Sequence, residues 1–310
     1  MVYQRHTGRA LCRECFIRDV LERVKAEVAS HKMFSPANRL MLALSGGKDS
    51  FVLLDVMLQL HDLSRMGIVT IIEGISGYNR EEDIQWIKDM ARDFGIDHFI
   101  TSIKEYVGHS LQELVEMADE KGLNVSPCTF CGVIRRRIIN EYARELGFDR
   151  VLTAHNLDDE VQTALMNMLR GDIFRLVQSH PSGPTLSRLF VRKVKPLRKI
   201  YEEEITSYAY LKGFMFQQTE CPYIRFRPTL RARLREHLFR LERDSPGSML
   251  RFLNKVDRVI NEFIEEYTEF PELPRCVRCG EPTAFGRKYC ILCELLMKLG
   301  LDVVPRVRIF

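Results

Sequence analysis

Leu40-Met41-Leu42-Ala43-Leu44-Ser45-Gly46-Gly47-Lys48-Asp49-Ser50 opens as a short, continuous apolar run, the pattern of a strand buried on both faces of a sheet. It ends in small and polar residues that lead directly into a helical pattern over residues 50–61. Glycines at such a junction let the backbone turn tightly and approach an anion, and a helix start presents unpaired N–H groups with a positive dipole end. Ser45 and Ser50 add hydroxyl donors, and Lys48 adds a point charge. A Walker A loop would carry Ser or Thr directly after its lysine. Asp49 stands there instead, so the junction reads as a phosphate loop of another kind.

Working outward, short apolar runs at 40–44, 68–73, 98–103 and 150–154 alternate with helical patterns at 50–61, 81–94, 108–121 and 132–146. That alternation predicts an α/β fold with a doubly wound parallel sheet. A further helix after Asp158 is expected to turn Val161, Leu165 and Met168 inward. Residues 171–196 read as a loop-rich connection, followed by helices near 201–211, 228–243 and 248–267 and a linker at 271–274. The first thirty residues hold a CxxC pair and a helix with Val20, Val24 and Val28 at a four-residue step, read as an attachment outside the core. The expected plan is an N-terminal module at 1–30, a catalytic domain at 31–270 and a cysteine-rich module at 271–310.

With 310 residues and 45% hydrophobic content, the chain can bury one full core with small attachments. No apolar run approaches the roughly 20 residues that cross a bilayer, and no signal-peptide pattern opens the sequence, so no membrane partner and a cytoplasmic location are expected. Net charge is 46 minus 42, or +4, which does not by itself announce a nucleic-acid binder. Basic residues nevertheless crowd the second half: Arg188, Arg192, Lys193, Lys195, Arg198 and Lys199, then Arg225, Arg227, Arg231, Arg233 and Arg235. They read either as solvated helix faces or as a surface that tracks phosphates.

Two more segments follow strand patterns, Glu73-Gly74-Ile75-Ser76-Gly77-Tyr78 and Ala154-His155-Asn156-Leu157-Asp158-Asp159. Both fall at carboxyl ends of strands, where open α/β sheets bind ligands. Asp158 and Asp159 could cap the next helix, or face a triphosphate and hold Mg2+.

All but one of the nine cysteines fall in CxxC pairs: Cys12/Cys15, Cys128/Cys131, Cys276/Cys279 and Cys290/Cys293, with Cys221 alone. Cys276, Cys279, Cys290 and Cys293, with ten residues between the pairs, have the spacing of a Zn2+ ribbon. Cys128 and Cys131 are expected in a loop beside the nucleotide site, with Cys221 arriving from far downstream. Three thiolates suit an iron–sulfur cubane with one iron open; a redox disulfide, or a zinc site completed by His155, also fits the spacing. Cys12 and Cys15 form half a ribbon, so they share a site with another group or an upstream pair stands outside this sequence.

SGGKDS after a strand resembles the loop of the ATP pyrophosphatase superfamily, and LCRECF, EGISGY, PCTFCGVIRRR, AHNLDDE, MNMLRGD and the final double CxxC extend the match over nearly the whole chain. Together they resemble the archaeal and eukaryotic tRNA 2-thiouridine synthetases, which are similar in their core to the bacterial two-thiocytidine enzyme. The resemblance implies an ATP-dependent sulfurtransferase that adenylates the C2 oxygen of a tRNA uridine and replaces it with sulfur. It implies ATP held by Ala43, Ser45, Gly46, Gly47, Lys48, Asp49 and Ser50 with Gly74, Ile75, His155, Asp158 and Asp159, and a [4Fe-4S] cluster on Cys128, Cys131 and Cys221. Lys48, Asp159 and Arg135 fall at catalytic positions; some relatives carry Lys at the last, which makes charge stabilisation the role expected of Arg135. Terminal ribbons would bind Zn2+ and help position tRNA. Sulfur would come from a thiocarboxylated ubiquitin-like carrier or free sulfide, and relatives are commonly dimeric.

The sequence departs from the family where only Cys12 and Cys15 remain of the first ribbon, and at Ile72, where an aspartate is common. LCRECF leans toward the wobble uridine. The alternatives are a T-loop uridine, a cluster-free persulfide mechanism through Cys128 and Cys221, and a non-catalytic zinc-ribbon protein that binds tRNA.

Overall fold

Four apolar runs, and one segment that has none, hydrogen-bond into a five-stranded parallel sheet in the computed structural model, which describes residues 1–78, 81–214, 221–226, 230–267 and 270–307. A small antiparallel ribbon, β1 (Val2–Gln4) and β2 (Arg9–Leu11), precedes α1 (Arg13–Ser30). The sheet units follow as β3 (Leu40–Ala43), α2 (Lys48–Leu60), β4 (Met66–Ile72), α3 (Glu81–Asp93) and β5 (Asp97–Ser102). Then come α4 (Ile103–Val107), α5 (Leu111–Glu120), α6 (Pro127–Glu145), β6 (Arg150–Thr153), α7 (Leu157–Leu169), α8 (Ile173–Ser179) and β7 (Arg192–Val194). The remainder is helical: α9 (Glu202–Lys212), α10 (Pro222–Phe226), α11 (Leu230–Asp244), α12 (Ser248–Glu266) and α13 (Ile291–Lys298).

Sheet order is β5-β4-β3-β6-β7, all parallel. The chain therefore winds outward from β3 to β5 and returns to the other side of β3, which makes the gap beyond the ends of β3 and β6 the topological switch point. Alternate residues of β3 feed two cores. Leu40 and Leu42 pack with α1, α2, α3 and α9 on one face, and Met41 packs with α4, α5, α6 and α13 on the other. A third layer joins α7, α8, α11 and α12 through Leu157, Val161, Leu238 and Leu253 and through Ala164, Leu176, Val177, Val256 and Ile260.

Several expectations are corrected. Phe16, Val20, Val24 and Val28 of α1 lie inside the first core, so the N-terminal helix is part of the core and not an appendage to it. Val161 is buried, but Met168 is 44% exposed, because α7 ends one residue later and α8 buries Leu176 and Val177 in its place. The loop-rich connection contains α8 and the edge strand β7, whose Arg-Lys-Val sequence lacks an apolar run. The helix expected at 108–121 is present as α5, and a separate short helix, α4, precedes it; each is opened by a capping box, Ser102 with Glu105 and Ser110 with Glu113. The linker is hydrogen-bonded in its second half, Leu273 N–H to the Leu186 carbonyl at 2.9 Å and Thr283 N–H to the Pro274 carbonyl at 2.8 Å. Residues 228 and 229 of the expected helix at 228–243 lie outside the described residues, as do Arg227 and the Arg225 side chain.

Much of the first basic run points inward. Arg198 is 1% exposed and donates to Glu27 of α1 at 2.7 Å and to both carboxylate oxygens of Asp257 of α12 at 2.8 and 2.6 Å. Lys199 reaches Glu27 at 3.0 Å and Asp257 at 3.3 Å, while Lys195 reaches Glu160 of α7 at 2.6 Å. Burial alone would raise the Glu27 carboxyl; the hydrogen bond with His31 and the charges of Arg198 and Lys199 outweigh it and hold the group at about 2. Asp257 is likewise depressed despite burial, chiefly by Arg198 and His180. Removing one partner leaves the other charge buried, so Asp257→Ala is expected to cost about 3–5 kcal/mol in urea unfolding. Carboxyls with depressed folded values contribute stability above their unfolded values, so wild-type stability should decline from about pH 4.5 towards about pH 2, and less so in Asp257→Ala.

Candidate functional site

The phosphate loop leaves the central strand at the switch point. Leu44 N–H extends the sheet by bonding to the Val69 carbonyl at 3.0 Å, after which Ser45 N–H donates to Ser50 Oγ at 2.9 Å and closes the turn. The two hydroxyls lie 3.2 Å apart. Gly46 has φ +82°, and a Cβ there would come within 2.9 Å of the Asp83 Cβ, so both its conformation and its neighbour require glycine. Gly47 begins α2 with no side chain spanning the helix start, while Ser50 is buried beneath it. Ala43 is half-buried at the strand end. Gly74, φ +72°, crosses against Ser110 with only 2.7 Å between a Cβ there and the serine Cβ, and Ile75 packs in the second core.

Charges of both signs line this crevice. Lys48 Nζ sits 2.9 Å from Asp49 and 3.3 Å from Glu202 at the start of α9. Burial would lower its ammonium, but Asp49 and Glu202 outweigh that and keep it charged. Asn156 donates to Asp49 at 2.9 Å and so joins the loop after β6 to the loop after β3. Asp159 completes a capping box with Asn156 at the start of α7. Asp158 accepts the Glu202 N–H at 3.0 Å. Burial, together with the charges of Glu202 and Asp159, raises the Asp158 carboxyl to about 6. Asp159 is also raised, by burial first, with Arg231 opposing. From α11, Arg231 lies 3.5 Å from Asp159, and Arg235 donates to Glu202 at 2.8 Å. The carboxylates of Asp49, Asp158 and Asp159 are hard oxygen donors of the kind a divalent cation and a triphosphate share. His155 bonds to Thr153 Oγ1 at 2.8 Å; enclosure by protein and four surrounding cations, Lys195, Lys193, Arg231 and Arg135, hold its imidazole well below the ordinary range.

Glu202 was not among the residues singled out from sequence. It stands in a Glu-Glu-Glu run at a helix start, which reads as an ordinary acidic first turn.

The CTFC segment is helical, a correction to the loop expected there: Pro127 occupies the first turn of α6, Cys128 is exposed and Cys131 lies one turn on. Cys221 precedes α10, which packs against α6. Cys128 raises the Cys221 thiol and Cys221 raises that of Cys131. Burial is the main cause, pushing Cys131 to about 11, with Arg135 opposing and Glu73 adding. Arg135 is ion-paired to Glu73 at 3.3 Å, so the end of β4 and the first turns of α6 meet across this pair. Burial and the Glu73 carboxylate keep the Cys131 and Cys221 thiols protonated by themselves, whereas a bound cation deprotonates a coordinating thiol outright. Three soft donors at a helix start fit a metal–sulfur group better than a free nucleophilic thiolate.

In the tail, the sulfurs of Cys276, Cys279, Cys290 and Cys293 all lie within 4.8 Å of one another. Gly280, φ +79°, turns the first knuckle as its N–H bonds to the Cys276 carbonyl at 2.8 Å, and Cys293 N–H approaches Cys290 Sγ at 3.5 Å at the start of α13. Four thiolates in that arrangement match the donor set of a closed tetrahedral Zn2+ site. Arg137 of α6 donates to Cys279 at 3.4 Å and Cys290 at 3.8 Å, a partnership no spacing rule reveals. Cys12 and Cys15 repeat the helix-start geometry, with Cys15 N–H 3.4 Å from Cys12 Sγ. Among the described residues, no third ligand joins them.

No helix among the described residues is long and apolar enough to cross a membrane. Residues 18–242 match the PP-loop domain family. The chain is 34% identical to cytoplasmic tRNA 2-thiolation protein 1 of Xenopus laevis, over 95% of this chain and 84% of that protein. It is 32% identical to tRNA 2-thiolation protein NcsA of Haloferax volcanii, over 96% of this chain and 95% of that protein. Its structure is similar to that of the U34-tRNA thiolase NcsA from Methanococcus maripaludis with its [4Fe-4S] cluster, with a TM-score of 0.76, 27% identity, and coverage of 100% of this chain and 96% of the other. A PP-loop core at the sheet's switch point and this likeness along nearly the whole length agree: the chain belongs to the PP-loop family of tRNA 2-thiolation proteins.

Proposed function

We propose that this chain is a tRNA sulfurtransferase that uses ATP to activate the C2 oxygen of the wobble uridine and exchanges it for sulfur. What supports the reading is that the PP-loop follows the end of β3 while Glu73, at the end of the neighbouring β4, pairs with Arg135 beside Cys131. A carbonyl oxygen is a poor leaving group, and esterification to AMP makes it a good one. The Ser45–Ser50 loop, the start of α2 and Lys48 are placed to neutralise the phosphates as the bond between the α and β phosphates breaks. Asp49, Asp158 and Asp159 would hold the Mg2+ that accompanies ATP, with Asn156 orienting Asp49. Arg135 adds positive charge near the activated oxygen.

A [4Fe-4S] cluster on Cys128, Cys131 and Cys221 would supply an iron free of protein ligands where sulfur can be held beside the activated carbon. Overall, hydrosulfide and the adenylated uridine give thiouridine, AMP and a proton, with the sulfur coming from free sulfide or a thiocarboxylated ubiquitin-like carrier. The raised Cys221 thiol weighs against a persulfide route through Cys128 and Cys221, which needs a thiolate at neutral pH without a metal to hold it. Cys276, Cys279, Cys290 and Cys293 would hold Zn2+ and stiffen the tail.

Purified anaerobically, the protein should be brown, release AMP when tRNA is present, and yield 2-thiouridine at the wobble position by mass spectrometry. Cys221→Ala should reduce thiolation to background while an ATP titration stays unchanged. Wild-type thiouridine from that variant, or full activity from a colourless protein, would reject the cluster reading, and tRNA binding without AMP release would point to a non-catalytic protein. The raised Asp158 value sets a pH limb: protonation below about 6 removes a carboxylate, so Mg2+-dependent AMP release should fall about tenfold per unit below that pH. Asp158→Asn should be slow at every pH and lack that limb.

A further inference from the structure

The basic residues around the thiols are not alike. Arg135 is paired with Glu73 at 3.3 Å, Lys195 with Glu160 at 2.6 Å, Arg231 with Asp159 at 3.5 Å and Arg235 with Glu202 at 2.8 Å. Among the described residues, Lys193 and Arg136 have no carboxylate partner; the charges that bear on Lys193 are Arg136, Lys195 and Arg135, and those on Arg136 are Arg175, Arg135 and the Cys131 thiol. Burial and these cations press the Lys193 ammonium down to about 8, the mark of an unneutralised charge.

Their positions are built. Lys193 of β7 is in register with Val151 of β6, whose side chain belongs to the core on the α6 face, so Lys193 lies on that face too. Asn140 of α6 clamps the strand by donating to the Leu189 carbonyl at 2.8 Å and accepting the Val191 N–H at 2.9 Å. One turn earlier on α6, the Arg136 guanidinium folds back over the residue after Cys131, so that a Cβ on Gly132 would come within 3.3 Å of its Nη1. Lys193 is half-buried and Arg136 exposed, so both can be reached. The charge of Arg175 on α8 acts on Arg136, and the facing ends of α7 and α8 expose Leu169 at 68% and Phe174 at 66%.

We propose that Lys193 and Arg136 seat a backbone phosphate of the tRNA next to Cys131, and that Phe174 and Leu169 stack on bases flanking the target. This rests on the reading of the chain as a tRNA-modifying enzyme. Unneutralised cations beside exposed aromatic and aliphatic side chains are the pattern of single-stranded nucleic-acid binding: charge tracks the backbone and flat apolar groups receive unstacked bases. An enzyme acting on a base edge needs that base drawn out of its stack, and a fixed phosphate next to an apolar platform provides the hold. A protein carboxylate could satisfy the cations but has no use for Phe174.

The test is binding of unmodified tRNA transcript to the holoenzyme by fluorescence anisotropy over a salt series. Lys193→Gln with Arg136→Gln should weaken binding at low salt by roughly tenfold and flatten the dependence of log Kd on log salt by about two units, with ATP titration and iron content unchanged. Arg136→Gln alone, an exposed change the fold tolerates, should flatten it by about one unit, and Lys193→Arg should retain wild-type values. Phe174→Ala should weaken binding by about fivefold or more with the salt slope unchanged. If the wild type binds tRNA and the Gln variants match it in affinity and slope, the seat is wrong and the functional reading stands. Variants that bind tRNA normally but lose only transfer from a protein sulfur donor would assign the cations to that donor and overturn the proposal. A wild type that binds no tRNA would instead sink the functional reading.

Discussion

Arg198 is the constraint on which the arrangement of helices turns. Its guanidinium is sealed from water where the chain leaves β7, and it can stay charged there only because Glu27, Asp257 and Glu160 converge on it from α1, α12 and α7. Helices that are distant in sequence must therefore meet at one point, and any other packing would strand a charge in the interior. Apolar contacts supply most of the gain from burial, but they tolerate sliding. A fork of directed hydrogen bonds does not, and it fixes the floor from which α7 carries Asp158 and Asp159 to the crevice and α9 brings Glu202 up to Lys48.

Reading strands and loops from the sequence succeeded where the signal was local. The run from Leu40 to Leu44 is apolar on both faces because helices cover both sides of the central strand, and the turn into α2 advertises itself through glycines and hydroxyls. The Cys276–Cys293 quartet was equally legible, since two knuckles need nothing beyond their own spacing. β7 was missed because an edge strand of three residues, two of them cations, carries no apolar alternation. Met168 continues the helical spacing of Val161 and Leu165, yet the helix stops one residue later and leaves it exposed.

The partners of functional residues were the least legible. Nothing in a Glu-Glu-Glu run tells that Glu202 faces Lys48, and nothing in a stretch of arginines tells that Arg198 is internal while Arg136 is open. Such pairings are set by tertiary packing between segments more than a hundred residues apart, such as Lys48 with Glu202 and Arg198 with Glu27. Chemistry-bearing residue types can be read one at a time; which of them neutralise each other is a property of the folded chain.

A single helix serves both cysteine centres. The first turns of α6 carry Cys128 and Cys131, while Arg137, Glu141 and Arg144 farther along grip the tail through Cys279, the Val307 backbone and Glu281. From Cys131 to Arg137 the rise is only about 9 Å. The tail thus works as a brace fitted to the back of α6, and damage to its thiols by an oxidant or a heavy metal would loosen the helix start that carries Cys128 and Cys131 without any reagent having reached it.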